Sequence, residues 1–140
     1  MAPAGVSLAI SVGMARDPRK LRVFALADTL VPDIYLTTRD FPGDERYGLV
    51  SQMRRAAESI PTNIVEGCAR RGLKEYLNFL NVANGSAHEL GYLVRLSTRL
   101  GLIASSTSAP LADRCDHIAA SLTALIDSLD QEASATGSQN

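Results

Sequence analysis

Between Asp44 and Gly67 apolar residues recur every three or four positions: Leu49, Met53, Ala56 with Ala57, Ile60, Ile64, and Gly67 with Cys68. That spacing lines one face of a helix, and the rest of the chain reads as elements that pack on that face. Two features make this helix unusual. Pro61 lies inside it, and the polar residues Ser59, Asn63 and Glu66 are interleaved with its apolar stripe.

The same periodicity predicts three more helices. The first runs from about Arg19 to Asp40, with Phe24, Ala27, Val31, Ile34, Thr38 and Phe41 as the seam. Pro32 removes a backbone donor and crowds the carbonyl of Asp28, so this helix is expected to kink or split. Phe41-Pro42-Gly43-Asp44 turns the chain, and the second helix starts at Asp44 and fades from Gly67 to Gly72. The third runs from about Leu73 to Leu100, its buried face marked by Leu77, Leu80, Ala83, Ala87, Leu90 and Val94, with Gly101 as the stop. Its small residues Ala83, Gly85, Ser86 and Ala87 would admit the Ile60-Pro61 stretch closely. After a loop ending at Ser108, which would cap, a fourth helix carries Pro110 in its first turn. Leu111, Cys115, Ile118, Leu122, Leu125 and Leu129 give it a four-three seam to Asp130.

The predicted architecture is all-α, an antiparallel up-down-up-down four-helix bundle over residues 19–130. Residues 1–18 and 131–140, rich in small and polar residues, read as a disordered leader and a disordered tail.

At 140 residues the chain supports one core. Only 5% of it is aromatic and Trp is absent, which suits close-packed helices better than a β-sandwich. No apolar run is long enough to span a membrane. Cys68 and Cys115 occupy apolar helical positions without a CxxC pattern, so they read as small buried hydrophobes in a reducing cytosol.

The net charge is −1, yet the distribution is uneven. From Arg46 to Lys74 the basic residues Arg46, Arg54, Arg55, Arg70, Arg71 and Lys74 outnumber two acids, Glu58 and Glu66. From Glu75 onward three arginines face seven acids. A local basic patch for nucleic acid is one reading; arginines solvated or paired across helices are the other.

Ser59, Asn63 and Glu66 lie along one side of the second helix, and Ser86 and Glu89 are three apart on the third. Packed together they would form a buried network, with Arg54 or Arg55 on Glu89 and polar groups serving the backbone freed by Pro61. A carboxylate site for acid–base chemistry or metal is the competing reading. It lacks a histidine or third carboxylate, so no metal and no catalytic residue is assigned. His88 and His117 have no acid three residues earlier. No nucleophile with an adjacent base, and no phosphate-binding glycine loop, is visible. No cofactor is expected, nor enzymatic activity.

The segments Phe41-Pro42-x-Asp44-Glu45-Arg46-Tyr47-Gly48-Leu49-Val50-Ser51-Gln52-Met53-Arg54-Arg55-Ala56-Ala57 and Ser59-Ile60-Pro61-x-Asn63-Ile64-Val65-Glu66-Gly67 resemble the small bacterial four helix bundle proteins. These include proteins encoded in intervening sequences of 23S ribosomal RNA genes. The segments are similar also to the accessory variability determinant of diversity-generating retroelements. Tyr76-Leu77-x-Phe79-Leu80-x-x-Ala83-x-Gly85-Ser86-x-x-Glu89-Leu90 matches the family's third helix. Pro32, Gly72 and Gly91 depart from the pattern.

The resemblance implies a ring-like homopentamer of bundles, with no catalytic residues to carry over. Some of its members bind nucleic acid through a basic surface and act with a reverse transcriptase. Five copies of Arg70, Arg71 and Lys74 would form a collar of about fifteen charges, enough for salt-dependent phosphate binding. The expected function is therefore a cytoplasmic, homo-oligomeric scaffold that binds nucleic acid through a basic surface, RNA being the first candidate. The alternative is an adaptor that docks a partner polypeptide without nucleic acid. Leu26, Leu30, Leu93, Leu96 and Ile126, which flank the assigned seams, are expected to stay exposed and drive assembly.

Overall fold

The computed structural model describes residues 16–137, which form four α-helices: α1 (Arg22–Thr38), α2 (Ser51–Cys68), α3 (Leu73–Arg99) and α4 (Ser105–Gly137). Short 3-10 turns occupy Pro18–Lys20 and Gly43–Glu45, and a π turn, Arg46–Val50, leads into α2. No strand occurs among the described residues.

Side-chain bonds fix the directions. Arg54 Nε near the start of α2 donates to Thr38 Oγ1 at the end of α1, while the backbone N–H of Arg16, before α1, donates to the Cys68 carbonyl. Ser59 meets Ser86, and Ser97 meets Met53, so α2 and α3 run oppositely. Asn84 with Thr123 and Arg95 with Asp116 do the same for α3 and α4. The heaviest packing is α3 against α2 and α4; α1 lies on α2 and more lightly on α4, which closes an up-down-up-down bundle. Leu30, Ile34, Met53, Ile60, Ile64, Leu80, Leu90, Ile118 and Leu122 fill the centre.

Several boundaries differ from the sequence reading. Helix α1 neither splits at Pro32 nor buries it. The ring is exposed, as is Asp28, so water can serve the carbonyl that proline leaves without a donor. Its inward face is Val23, Ala27, Leu30, Ile34 and Thr38, with Phe24 and Val31 only half-buried. The expected exposed assembly stripe does not exist: Leu30, Leu93 and Ile126 are core, and Leu26 and Leu96 pack against it. A helix in a four-membered bundle touches two neighbours, so its buried arc is wider than one seam.

Helix α4 begins at Ser105, not Ser108. The Ala104 carbonyl accepts from both Thr107 and Ser108, which starts the helix one turn earlier and leaves Ser108 buried inside it. At the other end α4 continues to Gly137, where the sequence reading placed a disordered tail from Gln131. The α3–α4 register brings this extension level with the first turn of α3, and half-buried Ala133, four residues after Leu129, prolongs the seam. The remaining tail, 138–140, lies outside the described residues.

The end of α3 is a Schellman closure. Gly101 has φ of 73°, its N–H donates to Thr98 O, and Leu102 N–H donates to Ser97 O. No residue with a Cβ adopts that backbone without strain.

The glycines separate tight approach from open space. A Cβ on Gly67 would stand 3.0 Å from Phe79 Cβ and 3.3 Å from the Tyr76 carbonyl, whereas one on Gly85 would meet nothing within 4 Å. Gly67 is therefore a tight approach of α2 to α3, while Gly85 faces open space although its neighbours Ala83, Ser86 and Ala87 are buried. Gly67→Ala should cost about 1–2 kcal/mol, overpacking outweighing helix propensity. Gly85→Ala should gain up to about 1 kcal/mol. Denaturant midpoints that move the same way in both variants would contradict this geometry.

Candidate nucleic-acid interface

The six basic residues singled out in the sequence do not form one patch. Arg54 and Arg71 are about 25 Å apart along the helix direction at about 1.5 Å per residue. Arg54 belongs to the α1–α2 seam: its guanidinium lies 4.5 Å from the Tyr35 ring centroid and donates to Thr38 Oγ1 and to the Tyr35 carbonyl. The Tyr35 hydroxyl donates to Glu58, and this bond, with a smaller contribution from burial, raises the phenol's pKa. Arg54 is thus a structural residue here. Arg55 is exposed beside an open groove with Gln52, Ala56, Ser59, Ser86 and Glu89. Neither Arg54 nor Arg55 pairs with Glu89. Arg46 is exposed in the π turn with its guanidinium over the Tyr47 ring, at 5.6 Å.

Of the anticipated polar network, three members come together. Ser59 Oγ and Ser86 Oγ are 2.7 Å apart, and Asn63 Nδ2 donates to Ser59 Oγ at 2.9 Å and to the Ser59 carbonyl at 2.7 Å. The carbonyl that Pro61 strands is that of Ala57, so Asn63 does not serve it. Glu66 turns away and forms an exposed ion pair with Arg70 at 3.5 Å, and Glu89 is exposed. The trio pins α2 to α3, and it contains no carboxylate to hold a proton or a cation. No metal-ligating group of three is found among the described residues.

Arg70, Arg71 and Lys74 are exposed at the α2–α3 turn, and the structure adds to them. The segment preceding α1 docks there. Arg16 N–H donates to the Cys68 carbonyl at 2.7 Å, Arg16 Nη1 donates to the Arg70 carbonyl, and the Arg16 guanidinium stacks 4.1 Å from the Tyr76 ring centroid. Asp17 Oδ1 then caps the next turn by accepting from Arg19 N–H. Arg19 also clasps Asp17 through its side chain, which is the main reason the carboxyl's pKa is lowered. Residues 16–18 of the expected disordered leader are therefore part of this docked turn; its residues 1–15 lie outside the described residues.

This docking sets residues 16–22 beside residues 66–75. Together they hold seven basic residues (Arg16, Arg19, Lys20, Arg22, Arg70, Arg71, Lys74) against three acids (Asp17, Glu66, Glu75). Arg19 and Arg70 have acidic partners; Lys20, Arg22, Arg71 and Lys74 form no ion pair among the described residues. The sequence reading missed Arg16, Arg19, Lys20 and Arg22 because it counted charge along the chain. Antiparallel packing of α1 on α2 was already expected, and it would have added the Arg19-Lys20-x-Arg22 run to this end.

A family model described as 23S rRNA-intervening sequence protein matches residues 19–124. Among solved structures, a protein of unknown function from the S23 ribosomal protein family of Bacteroides thetaiotaomicron is similar, with a TM-score of 0.69 and 22% identity. The match covers 75% of this chain and 95% of that one. At that identity the likeness establishes the shared fold. No curated protein matches the sequence.

Proposed function

The chain belongs to the 23S rRNA-intervening sequence protein family, and from that premise we propose a non-enzymatic, homo-oligomeric scaffold that holds nucleic acid, with RNA as the first candidate, on the basic end of its bundle. The observation that carries this reading is the docking of Arg16 on the α2–α3 turn, which concentrates positive charge on a chain of net charge −1. Four cations without acidic partners on rigid helix ends and a capped turn suit phosphate oxygens, and their affinity should be strongly salt-dependent. Oligomerisation, with five copies as the resemblance implies, would multiply a weak site into a strong one. A reverse transcriptase or another protein fits as a second partner. Two buried free thiols suit a reducing cytoplasm, and no helix among the described residues is long and apolar enough to cross a membrane.

The test is fluorescence anisotropy with a labelled RNA across a salt series, beside light scattering for mass. In the triple variant Arg70→Glu, Arg71→Glu, Lys74→Glu, affinity should fall at least about tenfold, with a shallower dependence of log K on log salt. Unchanged affinity and slope in a folded triple variant would overturn the assignment. An oligomer that binds no RNA at low salt would leave the adaptor reading in its place.

A further inference from the structure

All four tyrosines of this chain have an arginine guanidinium over the ring. Two of the pairs have other contacts: Tyr76 is buried and Tyr35 is bonded to Glu58; Tyr92, on α3 beside Arg99, is 55% exposed. Tyr47 differs. Its side chain is 86% exposed, more than any other large apolar or aromatic residue described. It sits in the π turn Arg46–Val50, a distortion that recurs at functional positions in helices. The residue after it, Gly48, has no side chain, and a Cβ there would find only Glu45 Oε2, at 4.0 Å. Nothing in the fold requires a ring at this position.

We propose that Tyr47 and Arg46 form a stacking site for one unpaired base of a single-stranded nucleic acid. The proposal rests on the nucleic-acid reading above and specifies the strandedness of the ligand, which must run along α2, about 35 Å at about 1.5 Å per residue, to touch both Tyr47 and the basic end. Every base presents a π face, so an exposed ring binds it without sequence preference. Arg46 is the second half of the site. It forms no ion pair among the described residues, so its guanidinium is available to a phosphate or to the base plane while it lies beside the ring. A contact with a second copy of the chain would have to bury that unpaired cation, which is costly. A nucleotide instead supplies both the apolar face and the anion.

At 86% exposure Tyr47 buries little of its surface, so Tyr47→Ala should fold normally. The probes are a labelled single-stranded oligoadenylate and an RNA duplex of equal length, each read by anisotropy at fixed salt. Tyr47→Ala should weaken the single strand about tenfold and leave the duplex unchanged, the effect expected of losing one base–aromatic stack. Tyr47→Phe should keep the affinity. With no Trp and four Tyr in the chain, intrinsic tyrosine fluorescence is a second readout: oligoadenylate should quench it, and Tyr47→Phe should abolish that quench.

Equal affinities of wild type and Tyr47→Ala for the single strand would overturn the stacking site, even if the Arg70, Arg71 and Lys74 reversals still abolish binding. A fall in oligomeric mass in Tyr47→Ala, with affinity per protomer unchanged, would overturn it in favour of a contact between copies. Failure of the wild type to bind either RNA at low salt would overturn both readings together.

Discussion

Replacing Leu90 by alanine should cost about 2–5 kcal/mol of stability, the range for large-to-small changes in a packed core. Leu90 is 0% exposed on α3, the helix that makes the two heaviest interfaces of the bundle. The loss has two parts. One is the transfer free energy of the deleted carbons; the other is a cavity that helices held on both sides cannot close. Leu100, one residue past α3 and 57% exposed, is the control: Leu100→Ala should change stability by less than about 0.5 kcal/mol. Chemical denaturation followed by far-UV circular dichroism, at one fixed protein concentration, measures both. A Leu90→Ala midpoint as close to wild type as that of Leu100→Ala would mean that α3 is not the centre of the core.

Stability should also collapse in alkali. Three weak acids are buried in neutral form, and burial is the first cause of each shift. The Cys115 thiol is pushed up from 9.0 to about 12, with Asp116 adding to the effect, and the Cys68 thiol and Tyr76 phenol are both raised. A raised folded-state pKa means that the unfolded chain releases its proton first. Below about pH 8.5 both states hold these protons and stability is flat from this source. Above it each thiol, and above about pH 10 the Tyr76 phenol, costs up to about 1.4 kcal/mol per pH unit until its folded pKa is reached. Cys115 alone should remove about 2–3 kcal/mol between about pH 9 and pH 11. Cys115→Ala should start less stable at neutral pH, because it leaves a small void, and then decline less steeply. Denaturant titrations across this window decide the matter. A wild-type curve that stays flat through it, or an equal slope in Cys115→Ala, would contradict the burial of the thiol.

The same residues separate what the chain alone discloses from what packing adds. The helices were legible because the three-four spacing of Leu49, Met53, Ile60 and Ile64, and of Leu111, Cys115, Ile118 and Leu122, is a local property of the sequence. So was the stop at Gly101, since a left-handed residue after a helix is a glycine by elementary sterics. The family motif around Tyr47-Gly48-Leu49 and Ser59-Ile60-Pro61 was equally local, and the family match extends it over residues 19–124.

Helix ends were less legible. The start at Ser105 rests on which carbonyl, that of Ala104, takes the first helical bonds, and the extension to Gly137 depends on a neighbouring helix being there to lie against. Ala133 carries too little apolar surface to announce a core position by itself. The exposure of Leu26, Leu30, Leu93, Leu96 and Ile126 was misjudged for a similar reason: the width of a buried arc depends on how many neighbours a helix has.

The candidate site shows the division most clearly. The sequence by itself determined that Arg70, Arg71 and Lys74 gather at the turn between the second and third helices, and that Ser59 and Asn63 share a helix face with Ser86 opposite. Only the tertiary structure decided that Arg54 is spent on Tyr35 and Thr38, that Glu66 and Glu89 leave the polar cluster, and that Arg16 brings Lys20 and Arg22 to the same end as Arg71. Periodicity is set by backbone geometry over a few residues. Charge accumulates where distant segments meet, and that meeting is fixed by the burial of the apolar faces between them.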